Sequence, residues 1–409
     1  MMRTRLAFLA LAILFSTSAS AQLAKRTIHR LPDTDQLTSY TTTPGEDCDF
    51  RFNMPGYVNP GDGTTLDTVT GLMWQRVDGG EMTVQAARYY VDTLSLGGYH
   101  DWRLPTPLEA ITLLELDKLN PAMDVAYFPD SKAEYWWTSA TLFNDTTRIW
   151  VTNAGGGIGP HPQKETISAG GAKSYHARAV RDVGVPTEVM RFTDNGDSTI
   201  TDNITGLIWQ KYPTRDTLTW EQALAYANSC RYAGLSDWRL PNIKELSSIN
   251  DYTRTAPSLS TTYFPTGVSQ RYWSSTTQKS PNPNAWFLDV AAAGITSYAA
   301  KTTRYGVILV RGSGMPARVS PVGLGHTDGA SMTIQLIDQP VHDLLRITDP
   351  SLTATHAEII GIDGRTVATF ERPDLSHTGL PVTSLPSGIY LLRLQLTDGR
   401  TAVVRFSKP

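Results

Sequence analysis

Glu109 and Glu245 are the carboxylates whose surroundings recur. Each follows an Asp-Trp-Arg-Leu-Pro pentapeptide, at 101–105 and at 237–241. A carboxylate in so fixed a setting could serve as a general acid. The spacing also supports a plainer role. Thr106-Pro107-Leu108-Glu109 puts Thr at an N-cap, Pro at N1 and Glu at N3, and Asn242-Ile243-Lys244-Glu245 repeats the pattern with Asn as the cap. Helix capping thus accounts for both glutamates without catalysis. Arg103 and Arg239 are expected to pair with a nearby carboxylate or with carbonyls, and Trp102 and Trp238 to supply apolar surface just before the turn. No His-Glu-x-x-His, Gly-x-Ser-x-Gly, Walker loop or Cys-x-x-Cys occurs. The eight histidines are scattered, and His161 and His176 have no counterparts in the second half. The sequence therefore names no catalytic residue and no metal ligand, and an enzyme is not the expected class.

Two other groups of residues could bind rather than react. Asp194-Asn195-Gly196-Asp197, with Asp202, offers oxygen ligands for calcium, but the spacing of an EF-hand is missing and hairpin turns use the same residues. No cofactor is expected, with calcium the one candidate. Charge is uneven. Residues 46–182 hold 18 acidic and 11 basic residues, a net −7, and residues 191–312 hold 9 acidic and 12 basic, a net +3. This marks the second stretch as the place for an anionic glycan, with Arg254, Arg271, Lys279, Lys301 and Arg304 as contacts and Tyr298 as a stacking partner. Neither stretch is basic enough for nucleic acid. Cys48 and Cys230 lie in different copies, so an inter-domain disulfide and two free thiols both stand open.

The elements that must position these residues come in duplicate. The pentapeptides are 136 residues apart, and other landmarks keep nearly that offset. Gly71-Leu72-Met73-Trp74-Gln75 returns with Trp209 in Gly206-Leu207-Ile208-Trp209-Gln210. Tyr127-Phe128-Pro129 returns at 263–265, Trp136-Trp137-Thr138-Ser139 at 272–275, and Trp150 at Trp286. A constant offset means one domain duplicated in tandem. Each copy reads as short strands, a helix from Thr83 or Thr219, a second capped helix over 108–116 or 243–249, and strands to the end, which is an α+β pattern. The apolar run over 6–15, after Arg3 and Arg5 and before Ala19-Ser20-Ala21, reads as a secretory signal. It is too short to span a membrane, and no other run suffices. The division expected is a signal peptide over 1–21, a linker or extended arm over 22–45, domains over 46–183 and 191–312, a linker over 313–327, and a strand-and-turn domain over 328–409. All ten tryptophans precede that last domain. They suggest aromatic cores, and they put ligand contacts upstream.

The repeated unit resembles the Lcl C-terminal domain family, on the Gly-Leu-x-Trp-Gln, Asp-Trp-Arg-Leu-Pro, Tyr-Phe-Pro and Trp-Thr/Ser-Ser stretches and on Val180-Arg181 and Val310-Arg311. That resemblance implies a distant kinship with C-type lectin-like folds. The fold class expected is therefore two tandem C-type lectin-like α+β domains plus a small C-terminal all-β sandwich. The family takes its name from a collagen-like adhesin that binds sulfated glycosaminoglycans; this chain has no collagen-like tract. The Glu-Pro-Asn and Gln-Pro-Asp sugar motifs of C-type lectins are missing, as is the cysteine pair of the formylglycine-generating relatives. The C-terminal domain resembles the type IX secretion sorting domain of Bacteroidota, on Gln339-Pro340-Val341 with Asp343 to Ile347, on Ile362 to Val367 and on Leu385 to Leu392, with Lys408-Pro409 at the end. Together these imply a secreted or cell-surface binding module or adhesin that recognises a glycan or a surface protein through tandem domains, with the type IX machinery as a further partner. An extracellular hydrolase or modifying enzyme and a structural surface protein are the alternatives.

Overall fold

Short apolar runs broken by Gly, Pro, Asn and Asp leave little room for helix, and strands prevail. The computed structural model describes residues 23–312 apart from 133, 154, 165–173, 215, 266–269 and 281, and residues 341–408 apart from 342, 347–353, 362–365, 374–378, 387 and 398–400. The signal segment, the 313–327 linker, the expected strand over 331–337, Gln339-Pro340, the turns at Asp363-Gly364 and Asp398-Gly399, and Pro409 lie outside the described residues. The chain forms two compact units, residues 1–180 with 186–317, and 318–409 with 181–185. Among the described residues no helix is long and apolar enough to cross a membrane.

The expected α+β C-type lectin-like class is not what the structure shows. Strands make up 38% of the chain and helices 12%, in many small sheets. The reason lies in the helices. They are α1 (Val84–Thr93), α2 (Pro107–Thr112), α3 (Trp220–Ser229) and α4 (Ile243–Ser248), of ten, six, ten and six residues. The expected spans of α2 and α4 ran longer, to 116 and 249. α2 ends sooner, in a C-cap at Leu113, and α4 ends at Ser248 with its C-cap at Ile249, within a residue of the expected span. Helices of fewer than three turns cannot form a layer of their own, and each packs as a plug on strands.

The duplication is visible in the topology. The first copy has a sheet of Tyr57–Val58, Thr64–Asp67, Leu72–Gln75 and Val180–Asp182, and the second has Phe192–Asp194, Thr199–Asp202, Ile208–Gln210 and Val310–Arg311 in the same order. A second sheet pairs Tyr135–Leu142 with Asp145–Asn153 and Ile158–Pro162, or Arg271–Thr277 with Asn284–Asp289 and Ile295–Ala300. Hydrogen bonds match one for one. Trp102 and Trp238 Nε1 donate to Leu96 and Tyr232 O at 3.3 and 3.1 Å. Trp137 and Trp273 Nε1 donate to Met82 and Leu218 O at 2.8 and 2.9 Å. Trp74 and Trp209 are both buried in the core. All ten tryptophans are at most 4% exposed, so they build cores and do not form a sugar-gripping surface.

The copies share one interior. A single apolar cluster runs from Leu72, Trp74 and Phe128 to Trp209, Leu246 and Phe264. A second joins Ile111, Leu114 and Trp150 to Ile243 and Trp286. Like meets like: α2 packs on α4, and Ile158–Pro162 on Ile295–Ala300, where Ile158 N donates to Thr296 Oγ1 at 2.8 Å. Residues 23–50 are an arm threaded through this unit. Leu23–Arg26 pairs with Thr187–Met190, and residues 31–34 and 36 are buried. Gln36 exchanges bonds with the Thr277 backbone at 2.7 and 3.0 Å, and Thr34 and Thr276 both donate to Asp47 Oδ2, at 2.7 and 2.6 Å.

Among its described residues the C-terminal unit is all β. A sheet orders Thr366–Glu371, Ala354–Gly361, Gly388–Leu396 and Thr401–Lys408, and a ribbon pairs Leu344–Leu345 with Leu380–Pro381. Its core includes Leu345, Ile359, Leu380, Leu392, Leu394 and Phe406.

Candidate functional site

Arg103 and Arg239 find their partners six residues on. Arg103 makes a two-pronged bond to Glu109 at 2.7 and 2.8 Å, and Arg239 makes one to Glu245 at 2.5 and 2.6 Å. The same glutamates close the capping boxes of α2 and α4, accepting from Thr106 N and Asn242 N at 2.8 and 2.9 Å. Burial alone would raise the Glu109 carboxyl, but hydrogen bonds and charge from Arg103, with bonds from Thr27 and Thr106, outweigh it and hold the group below the usual carboxylate range. Glu109 is thus ionised at neutral pH and has no proton to donate as a general acid.

The two settings part company at the surface. Arg239 is 5% exposed and lies under Phe50 and Phe52, with its guanidinium carbon 5.4 and 5.2 Å from the ring centres. The Arg103 side chain is 31% exposed and opens on a cleft of about 610 Å3 between the copies. The arm supplies Lys25 and Thr27, the first copy Arg88, Asp92 and Arg103, and the second copy Arg191, Asn250 and Tyr252. Arg191 is anchored by Asp202 and by Ser248 O. Ile28, Val91, Leu104, Leu108 and Ile204 line the apolar parts of the wall. Four cationic side chains line this wall; Arg103 is paired with Glu109 and Arg191 with Asp202, Asp92 lies four residues after Arg88 on α1, and Lys25 stands opposite Glu188 in the strand pairing.

The basic residues expected to form one glycan surface are dispersed. Arg254 pairs with Asp251 at 3.2 Å, and Lys279 reaches across to Asp117 of the first copy, 3.6 Å from its carboxylate. Lys301 stacks its ammonium 3.8 Å over the Trp220 ring, and burial lowers its pKa. Tyr298 is exposed, edge-on to Trp286 at 5.5 Å. Arg271 and Arg304 share a cavity of about 460 Å3 with Asp289 and Tyr305; Arg271 bonds Asp289 at 2.7 Å. The oxygens proposed for calcium act in turns: Asp197 Oδ1 accepts from Thr199 N and Oγ1 at 3.0 and 2.6 Å, Asp202 from Ile204 N at 2.9 Å, and Asp194 pairs with Lys211 at 2.5 Å. Asn195 bonds Thr199 and Thr201. Cys48 and Cys230 are free thiols.

The Lcl C-terminal domain model matches residues 63–181 and again 198–311. The chain belongs to the Lcl C-terminal domain family. No curated protein matches it in sequence. The two Lcl C-terminal domains coincide with the duplicated sheets, and the pentapeptide is their shared bracket. In the second domain its Asp237 binds Arg311 at 2.9 Å, its Trp238 the 232 carbonyl and its Arg239 the cap of α4. The cleft residues Lys25, Arg88, Arg191 and Tyr252 were not among the candidates from sequence. One signal was legible: Arg191 stands where the first domain has Gly56, a cation gained at a duplicated position.

Proposed function

We propose that this member of the family is a secreted or cell-surface binding protein that holds an anionic saccharide, carboxylated or sulfated, in the cleft between its two domains. The observation that carries the reading is the cleft wall, where Lys25, Arg88, Arg103 and Arg191 gather among apolar side chains. Glu109 and Asp202 stand behind two of these cations and Asp92 offsets a third, which leaves one positive charge in excess at the rim formed by Lys25 and Arg88. The apolar side chains between them suit the faces of sugar rings. Duplication has a direct use here, since a cleft between copies needs both. In this reading the cleft binds and does not catalyse.

The mature chain, residues 22–409, is expected to bind heparin or polygalacturonate oligosaccharides, with affinity falling as salt rises. Lys25→Ala and Arg88→Ala should each weaken binding by up to about fivefold, the worth of an exposed charge contact of about 1 kcal/mol. Arg254→Ala and Lys279→Ala should leave it unchanged. Equal binding of a neutral oligosaccharide, or indifference to both rim substitutions, would overturn the reading.

We read the C-terminal unit as the type IX address. Its separate core supports this, together with the Leu385 to Leu392 stretch. Removal of residues 328–409 should leave binding intact and keep the protein in the periplasm of its native host. Normal display of the truncated chain would refute the sorting role.

A further inference from the structure

We propose that the first Lcl C-terminal domain carries a divalent-cation site formed by His176 Nε2 with the carboxylates of Glu81 and Glu134. Three segments bring these residues together. Strand Glu81–Thr83 pairs with Ser174–His176 so that Glu81 stands opposite His176, and His176 in turn is bridged to Trp136, two residues after Glu134. One ligand atom from each residue lies within 4.8 Å of the others. A tetrahedral ion with bonds near 2.1 Å needs its ligands about 3.4 Å apart, a gap that small rotations of two glutamate side chains close. Glu134 Oε2 already stands 3.9 Å from His176 Nε2.

The imidazole is set for the task from behind. Asp78 accepts from His176 Nδ1, with both oxygens at 3.0 Å. Asp78 is itself fixed by Trp136 Nε1 at 2.8 Å and by buried Arg178 at 3.5 Å. An ionised carboxylate can only accept, so Nδ1 is the donor toward Asp78 and Nε2 is the ring atom turned to the glutamates. A carboxylate behind a histidine is the arrangement that orients metal-binding imidazoles in general.

The second domain is a built-in control. Gly79 N and Thr214 N donate to Ala177 O and Val307 O at 2.8 and 2.9 Å, which aligns Asp78 with Pro213. The strand pairings align Glu81 with Thr217, Glu134 with Gln270 and His176 with Gly306. All four groups are thus missing from the second domain, where Thr217, Gln270 and Gly306 line the cavity that holds Arg271 and Arg304. The scaffold around them is kept: Trp137 and Trp273 make the same bond, and Tyr175 and Tyr305 the same ring contact at 4.6 Å. The fold therefore does not require the His-Glu-Glu-Asp set, and two carboxylates held this close repel without a cation between them. One imidazole and two carboxylates with a coordination position to spare suit zinc or a similar transition ion, and suit calcium poorly.

The test uses the tag-free mature chain, stripped with chelator and titrated calorimetrically with Zn2+ alone, with Co2+ as a visible-absorption probe of the same site. One equivalent of Zn2+ is expected to bind. His176→Ala and Glu134→Gln should abolish that uptake, and Asp78→Asn should weaken it by about tenfold to a hundredfold. Glu81 is exposed, so Glu81→Gln tests a ligand without disturbing the core, and should weaken binding at unchanged thermal stability. Failure of the parent chain to take up Zn2+, or uptake that survives His176→Ala, Glu134→Gln and Glu81→Gln alike, overturns the proposal.

Discussion

Arg103 and Arg239 make the same bond beneath different cover. Removing either leaves a buried glutamate without its cation, and breaking a buried pair in this way costs about 3–5 kcal/mol. Arg239 also loses its contact with Phe50 and Phe52, whereas water can reach the Glu109 site through the cleft. Arg239→Ala should therefore sit at the top of that range and Arg103→Ala at or below its bottom, as read by urea unfolding. Equal losses would show that the aromatic cover contributes nothing. Asp47 lies in the same buried region. Burial pushes it up from 3.8 to about 6, against the bonds from Thr276 and Thr34; Glu245 adds to the rise and Arg239 opposes it. The folded chain therefore keeps a proton on Asp47 in the window from pH 3.8 to about 6, where the unfolded chain has lost it. The stability this group contributes is full below that window and is lost as pH rises through it. Asp47→Asn keeps an acceptor oxygen for both threonines and has no charge to bury. The variant should gain on the parent across the window, reaching up to about 3 kcal/mol at pH 7. Asp33, raised to about 8 by burial and next by the Asp47 charge, is eased by the same substitution, so the gain includes its response as well. A constant difference between pH 4 and pH 7 would refute the assignment.

Helices of six residues cannot hold themselves together, and the capping boxes of α2 and α4 supply the closure that length does not. Thr106→Ala removes an acceptor from Glu109 N and should cost about 1 kcal/mol in urea unfolding. Asn242→Ala should cost more, because Asn242 is buried where Thr106 is exposed. These elements were legible because their signals are local: an N-cap and its N3 glutamate stand three residues apart, and Thr83 and Thr219 likewise mark the starts of α1 and α3. The charge tally was a poorer guide. A net +3 over the second copy does not tell which cations meet, and the structure sends Lys279 to Asp117, Lys301 to Trp220 and Arg254 to Asp251. The cleft draws on the arm and both domains, a combination that no window of sequence displays. The same holds for His176. Its strand partner Glu81 is 95 residues upstream, so the pair became visible only through the register. The fold class failed for a related reason. The caps mark where helices start, but the balance of strand to helix, 38% against 12%, depends on long-range pairing that no local signal carries.

The two domains meet through equivalent elements, and this makes each one's surface the other's interior. Trp286 of the second domain is 4% exposed because it lies in a cluster with Ile111, Leu114 and Trp150 of the first. Gly156 of the first domain turns beneath it with φ +96, where an added Cβ would come within 2.3 Å of Leu116 and 3.6 Å of the indole. Lys244 of α4, fully buried, donates to Thr112 O at the end of α2 at 2.9 Å and to Asp33 O of the arm at 2.7 Å. A domain cut free would expose these apolar side chains and strand that charge. Burial of the cluster is worth about 25 cal/mol per Å2 of apolar surface, so several large side chains lost to water outweigh the margin of an ordinary domain. The consequence is cooperative. Residues 23–312 should melt in one calorimetric transition whose van't Hoff and calorimetric enthalpies agree, although they contain two family domains. Trp286→Ala, made on one side of the seam, should lower that single transition by several kcal/mol and should not split it. A tryptophan fluorescence melt and a far-ultraviolet circular dichroism melt of the same variant should coincide. Two resolved transitions in the parent chain, or a Trp286→Ala variant in which only the second domain melts early, would show that the copies are independent neighbours, and a ligand cleft between them would then lack a fixed geometry.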